Sequence, residues 1–389
     1  MGMLEKLKKA LYRIYGLYFK EIRVLLKDKF AMLIIFALPV FLVLVLGEVF
    51  GGVGGDVEST SVESIAGGDT MEIPKIGLID LDLSEGFPNL DLSSVFVNKC
   101  KLYESSGALT IVESNNQTEL DTLLGTGVLN GYLIIPDMFE YNLSIHFPAI
   151  IIVTLDILDQ TLLESTQSVI DTIIEDFKEE NNFTGVFNYE ITRANIPETG
   201  QTLFLGAPIF FPMVLFASAA LTSAQLIVSD IPKDRMSLTP ANKFEITLGK
   251  LLAMQTLMTL LIVLMLVLSF FLGMTVRGSV LDFFWILFVI ALSGVTFGLF
   301  VSAIARVPLE ALQFFIFAFI FQIIGVLFVQ DENILRFLPM FDGYKIVISV
   351  VLRGQSPLSV SIYYIYLYVE FFLLFVGAYL IYNRKRALL

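Results

Sequence analysis

Residues 251–273 read LLAMQTLMTLLIVLMLVLSFFLG, an apolar run of 23 residues without a charge. A helix rises about 1.5 Å per residue, so such a run crosses a hydrocarbon core of about 30 Å, where an isolated segment can satisfy its backbone only as a helix. Working outward, further runs free of Lys and Arg lie at 30–50, 204–228, 282–304, 311–330 and 359–382. Together they predict an α-helical membrane protein with six transmembrane helices, the first at 30–50 and the other five within 204–389. The stretch 51–203 carries no comparable run and reads as a separate domain inserted between the first two spans. Composition agrees: 56% of residues are hydrophobic, mean hydropathy is +0.78 and 16% are charged. Soluble domains carry about 25% charged residues, so a soluble protein is excluded.

Charge orients the pieces, because short cytoplasmic loops collect Lys and Arg. Eight fall in residues 1–29, four in 229–250, and Arg384, Lys385 and Arg386 close the tail. With Arg306 these segments predict cytoplasmic termini and place 51–203, 274–281 and 331–358 outside a plasma or cytoplasmic membrane. The inserted stretch holds 25 Asp and Glu against 5 Lys and Arg, so it accounts for all of the chain's net charge of -13 and leaves the remainder at +7. The acidity belongs to the inserted stretch alone and says nothing about binding on the cytoplasmic side; the lipid bilayer is an expected partner and nucleic acid is not. Arg336, Lys345 and Arg353 break the charge pattern, and the expectation is that 331–358 dips into the outer interface as two short amphipathic pieces whose basic residues snorkel to headgroups.

Residues 3–27 place Leu4, Leu7, Leu11, Ile14, Tyr15, Tyr18, Ile22 and Leu25 at three- and four-residue steps, the pattern of an amphipathic helix on the cytoplasmic surface. Pro39 is expected to kink the first span, and residues 51–70 read as a linker. In the inserted domain, KIGLID, ALTIVES, VLNGYLIIP and IIIVTLD read as strands, while TELDTLLG and LDQTLLESTQSVIDTIIEDFKEE read as helices. Alternation of that kind predicts a small extracytoplasmic α/β domain. Its last helix carries a core stripe of Leu162, Val169, Ile173, Ile174 and Phe177. Cys100 is the sole cysteine, so no disulfide within the chain can staple the domain. Asn116, Asn142 and Asn182 head glycosylation tripeptides.

A single histidine, His146, excludes a histidine-based metal or catalytic cluster, and no G-x4-G-K-[ST] phosphate loop occurs. No catalytic residue, metal site or cofactor is expected on this chain. Candidate polar groups within the spans are Gln225, Gln255, Gln313, Gln322 and Glu370. A charge at mid-membrane costs about 2.5 to 3.5 kcal/mol on insertion scales, so Glu370 is expected to face protein or water. Gln225, Gln313, Gln322 and Glu370 are the residues to consider along a substrate pathway, with helix-to-helix hydrogen bonding as the plainer role.

Several stretches in order resemble one family, the permeases of type-2 ATP-binding-cassette exporters, in the subgroup with a large domain after the first span. The likeness rests on KEIRVLLKDK (20–29) running into FALPVFLVLVLG (36–47), and on KIGLID (75–80) with ELDTLLGTGVLNGYLIIPDMFEYNL (119–143) and IIIVTLDILDQTLLES (150–165). It continues through SLTPANKFEITLGKLL (237–252) and FLPMFDGYKIVISVVLRGQSP (337–357). The resemblance implies a dimer of six-span permeases, homodimeric here, each seating a separate ATP-binding-cassette ATPase that binds ATP and Mg on the cytoplasmic face. It implies residues 1–29 as a connecting helix, 229–250 as a coupling loop and 331–358 as an outer re-entrant segment. Asp230, Lys233, Asp234, Arg235, Thr239 and Pro240, with Glu21 and Arg23, are then the expected ATPase-coupling residues. Two other classes stay open on sequence alone: a membrane-anchored receptor or adhesion protein without transport, and an ion-coupled secondary transporter worked through Glu370.

Overall fold

The computed structural model describes residues 3–51, 73–84, 91–158, 160–181, 183, 187–194, 201–229, 241–328 and 332–384. The chain divides into two units: the first comprises Met1–Gly68, Glu198–Leu352 and Ser356–Leu389, and the second Asp69–Pro197 with Arg353–Gln355.

In the first unit α1 (Met3–Lys27) is followed after one residue by α2 (Lys29–Gly51), which continues as a helix through Pro39. Then come α7 (Gln201–Ser223), α8 (Lys243–Phe271), α9 (Val280–Ile304), α10 (Pro308–Phe328), α11 (Glu332–Leu335), α12 (Pro339–Ile346), a π-helical turn (Val347–Leu352) and α13 (Ser361–Arg384). Among the described residues five helices are long and apolar enough to cross a membrane, lying within α7, α8, α9, α10 and α13; α2 adds a shorter apolar stretch, Ile35–Val45. Helix α9 is central, packing on α7, α8, α10 and α13.

Close packing of α9 on α7 follows from GVTFG at 294–298. A side-chain carbon at Gly294 would lie 2.9 Å from the Phe216 carbonyl oxygen, and one at Gly298 only 2.4 Å from that of Ala220. Small residues four apart let two backbones approach where no hydrophobic force drives helices together. Five hydroxyls inside the helices are satisfied locally, those of Thr222, Thr256, Thr259, Ser269 and Thr296 donating to carbonyls one turn back. Gln255 Nε2 instead reaches the Phe288 carbonyl at 3.0 Å and ties α8 to α9.

Two expectations are corrected here. Helix α8 begins at Lys243, so the predicted loop 229–250 is shorter by its last eight residues, and Lys250, counted there as a loop charge, is helical and 1% exposed. Much of the segment 331–358 is buried rather than a surface feature: Met340, Phe341, Asp342, Ile346 and every residue of the π-helical turn but Ser349, while Ile334, Phe337 and Leu358 are exposed. Arg336 and Lys345 lie over aromatic rings. Each peptide plane of such a segment needs partners, and the turn supplies them in part by accepting Arg277 and Gly278 N–H at the Val351 carbonyl.

The second unit is a five-stranded sheet in the order β2-β1-β3-β4-β5, built from β1 (Lys75–Asp80), β2 (Thr110–Glu113), β3 (Gly131–Ile135), β4 (Ala149–Asp156) and β5 (Phe187–Ala194). All pairs are parallel except β3 with β4. Its helices are α3 (Leu92–Ser105), α4 (Gln117–Gly125), α5 (Phe139–Ser144) and α6 (Gln160–Asn181). One core, built around Phe96, Phe139, Phe177 and Phe187, gathers Ile170, Ile173 and Ile174 of α6; a smaller one holds Leu120, Leu124 and Tyr132. Asn116 caps α4, its side chain accepting the Thr118 N–H at 3.0 Å; Asn182 lies outside the described residues. Arg353 belongs to this unit, donating to Asp156 Oδ2 at 2.8 Å.

Candidate functional site

Where α1 meets the first turns of α8, charge is carried into a packed interface. Glu245, at the third position of α8, forms a capping box with Asn242, whose N–H donates to Glu245 Oε2 at 3.1 Å. The same carboxylate, 4% exposed, receives Arg13 of α1 through two bonds, Nε to Oε2 at 2.8 Å and Nη2 to Oε1 at 2.5 Å. Such a two-pronged guanidinium–carboxylate contact fixes direction as well as distance.

One turn along α8, Gly249 lets α1 come close: a side-chain carbon there would meet Leu17 Cβ at 3.0 Å. Lys250 follows, its Nζ 3.2 Å from Glu21 Oε1 and 2.7 Å from the carbonyl oxygen of Leu226, to which it donates. Leu226 lies in the turn 224–229 that closes α7. The next two residues of that turn, Ile227 and Val228, donate their N–H groups to Ser302 Oγ near the end of α9, at 2.9 and 3.0 Å. Lys243, at the first position of α8, donates to the carbonyls of Tyr382 and Asn383 that end α13. Five helices, α1, α7, α8, α9 and α13, are thus joined by polar bonds at one end of the bundle, between residues that flank 230–240 in the sequence. Each of these buried charges is held by a named partner across a helix contact.

The predicted residues fall out as follows. Asp230, Lys233, Asp234, Arg235, Thr239 and Pro240 lie outside the described residues. Glu21 is 4% exposed and turned onto Lys250, whereas Arg23 is exposed. Gln225 is half-buried in the closing turn of α7, Gln313 is exposed and Gln322 is buried. Glu370 is half-buried and accepts from Ser293 Oγ of α9 at 3.4 Å. Sequence reading did not single out Arg13, Glu245, Lys250 or Ser302. Their sequence neighbourhood gave no signal of burial, since Glu245 and Lys250 stand just ahead of the apolar run of α8, where charged residues ordinarily meet water.

The inward face of α1 is also not the whole predicted stripe. Ile14, Leu17, Tyr18, Glu21 and Leu25 turn inward, while Leu11, Tyr12, Tyr15 and Phe19 are exposed, a second apolar face. Among the described residues no group of three or more His, Cys, Asp or Glu is placed to hold a metal ion.

Residues 29–380 match the family described as ABC-2 family transporter protein. No curated protein matches the chain.

Proposed function

The chain belongs to the ABC-2 family of transporter proteins, the membrane permeases of ATP-binding-cassette transporters, and on that premise we propose that it exports a cargo from the cytoplasm as one half of a dimer. The reading includes six spans, with α2 as the first, cytoplasmic termini, and the acidic sheet domain outside. ATP and Mg are bound by the partner ATPase rather than by this chain.

The observation that carries the reading is the polar knot around Lys250, between residues that flank 230–240 in the sequence. Asp230, Lys233, Asp234 and Arg235, followed by Thr239 and Pro240, present the ATPase with charge, and the exposed Arg23 lies on the helix joined to the same knot. A push on this loop is received by the turn 224–229 and handed to α8 through Lys250, to α9 through Ser302 and to α1 through Glu21. Gln225 ends the same lever. Gln313, Gln322 and Glu370 are assigned to the cargo route, where polar groups within the apolar helices would contact a polar portion of the cargo.

Affinity purification of the tagged chain from its native membrane, with mass spectrometry of what accompanies it, is the direct test. An ATP-binding-cassette ATPase should co-purify, and Lys233→Glu combined with Arg235→Glu should abolish its association or its stimulation. Recovery of no such ATPase, or full coupling in the double variant, would overturn the assignment.

A further inference from the structure

Helix α5 of the sheet domain turns Phe139 and Leu143 into the core and carries apolar side chains outward as well. Tyr141 and Ile145 stand one turn apart on its outer side, with Met138 one turn before them, and all three are exposed. Phe147, just beyond, is exposed too, its N–H folded back to the Asn142 carbonyl at 2.9 Å. Leu83, 92% exposed, stands alongside, because its neighbours Asp82 and Ser84 accept the N–H groups of Glu140 and Tyr141 at 2.8 and 3.2 Å. Both ends of α5 are held in left-handed backbone, Met138 at φ 65° and His146 at φ 59°, which residues with side chains seldom adopt. Exposed apolar residues scattered singly are ordinary; five gathered on one short helix and the loop that caps it form a patch.

The patch lies at the edge of the sheet where β1 and β3 end and β4 and β5 begin. The carboxyls of that edge are Asp80 and Asp82 at the end of β1, Asp91 ahead of α3, joined to Asp80 through the Ser93 hydroxyl, and Asp137 and Glu140 on either side of Met138. The Lys and Arg of the inserted stretch are engaged elsewhere. Lys75 opens β1 and Arg193 all but closes β5, both at the opposite edge, where the chain enters and leaves the sheet and where Arg353 holds Asp156. Lys99, Lys101 and Lys178 are paired with Glu180, Glu113 and Glu175. His146 is the one other group at the patch that can turn positive.

An apolar stripe among carboxylates is complementary to a partner with apolar and basic faces. From Met138 to Ile145 the stripe runs about 10 Å, the reach of two turns of a partner helix rather than of a small cation. We propose that this edge of the sheet domain binds a cationic amphipathic peptide, its apolar face on Leu83, Met138, Tyr141, Ile145 and Phe147 and its Lys or Arg side chains over Asp80, Asp82, Asp91 and Asp137. An anionic lipid surface is repelled by the same carboxylates. The site needs neither an ATPase nor a route through the helices, so it stands or falls apart from the export reading.

Fluorescence anisotropy with the full-length chain in phosphatidylcholine nanodiscs tests it. The probe is a dye-labelled amphipathic helix of Leu and Lys, and empty nanodiscs of the same lipid give the share taken by the bilayer. Glycosidase treatment first clears any glycan from Asn142, which heads a glycosylation tripeptide within α5. Nanodiscs holding the chain should bind the probe more tightly than empty ones, added salt should weaken that excess, and the matching peptide of Leu and Glu should show none. Tyr141→Ser with Ile145→Ser should lower the excess affinity about tenfold or more. Asp137→Asn should lower it about twofold to fivefold. Leu102→Ser, exposed near the far end of α3, should leave it unchanged. All these side chains are exposed, so the variants should keep the wild-type unfolding temperature, which is measured alongside. Binding no tighter than to empty nanodiscs, equal binding of the acidic peptide, or full affinity in the double variant would overturn the proposal. So would an equal loss in Leu102→Ser, since any exposed apolar surface would then serve.

Discussion

Glu21 and Lys250 face each other at 3.2 Å across the contact of α1 with α8, and the two side chains keep only 5% and 1% of their surface exposed. Lys250 is anchored again by the Leu226 carbonyl. Glu21 also receives Lys20 Nζ at 3.2 Å on the same oxygen, so it keeps one cation when Lys250 is removed. Removing one partner of such a pair typically costs about 3 to 5 kcal/mol, whereas replacing both by apolar groups of similar volume is often close to neutral. Lys250→Ala should therefore lower the unfolding temperature of the purified chain strongly, and Glu21→Leu with Lys250→Met should recover most of the loss. Thermal unfolding in detergent measures both. Equal losses in the single and the double variant would remove the pair from the account.

The approach of α9 to α7 rests on Gly298, where a side-chain carbon would lie 2.6 Å from Ser223 Cβ and 2.4 Å from the Ala220 carbonyl oxygen. Backbone cannot yield as a flexible side chain does. Gly298→Ala should cost about 1 to 3 kcal/mol by overpacking, and Gly298→Leu should prevent native assembly. By contrast Gly16 has open space where its side chain would be, so Gly16→Ala should be neutral or slightly stabilising in its helix. Unfolding temperatures of the three variants, measured side by side, give the comparison.

Cys100 lies 2% exposed in the core of the sheet domain, where burial pushes its thiol up to about 12. The reactive species is the thiolate, so at mildly alkaline pH it is nearly absent. A maleimide or disulfide reagent should label the native chain far more slowly than the unfolded one, and no disulfide-linked dimer should form through this residue. Mass spectrometry after timed labelling reads the ratio.

Two tyrosines of the same domain hold carboxylates. Tyr103 donates to Asp176, and that bond, followed by burial, raises its hydroxyl to about 12; Tyr189, raised to about 12 chiefly by burial and then by its bond to Asp171 at 2.5 Å, behaves alike. Because the folded state holds these protons more tightly than the unfolded chain, the stability they contribute is complete below about pH 10 and is lost as pH rises toward about 12. Tyr103→Phe with Tyr189→Phe should leave the neutral-pH fold in place but flatten the alkaline loss. Ultraviolet titration of tyrosinate, alongside unfolding at each pH, follows both effects.

Long apolar runs were readable because a span must be nearly free of charge over its whole length, and α7, α8, α9, α10 and α13 each obey that rule. Strands β1 to β4 were readable from short β-branched runs between turns. Helix α3 was not, because LSSVFVNKCKLYES has no clean stripe, and its start is set by Asp91, which accepts the Ser94 N–H at 2.9 Å. Strand β5 was hidden by its polar composition, FNYEITRA, which suits the edge of a sheet rather than its middle. The site was less legible than the fold. Periodicity placed Glu21 on a helix, but its partner is 229 positions away, and nothing local to Lys250 distinguishes a buried lysine from one in water. Asp342 was obscured in the same way: a carboxyl in a short segment beside basic residues looks solvated until α7 and α9 are seen to close over it.

Where GVTFG of α9 lies against α7, backbone touches backbone with no side chain between. That seam is a weld: in this arrangement nothing as large as a cargo molecule can slip between the two helices there. A passage through the subunit, or along its flank, has to run by some other join, and α10 and α13, whose surfaces are far less enclosed, offer the looser ones.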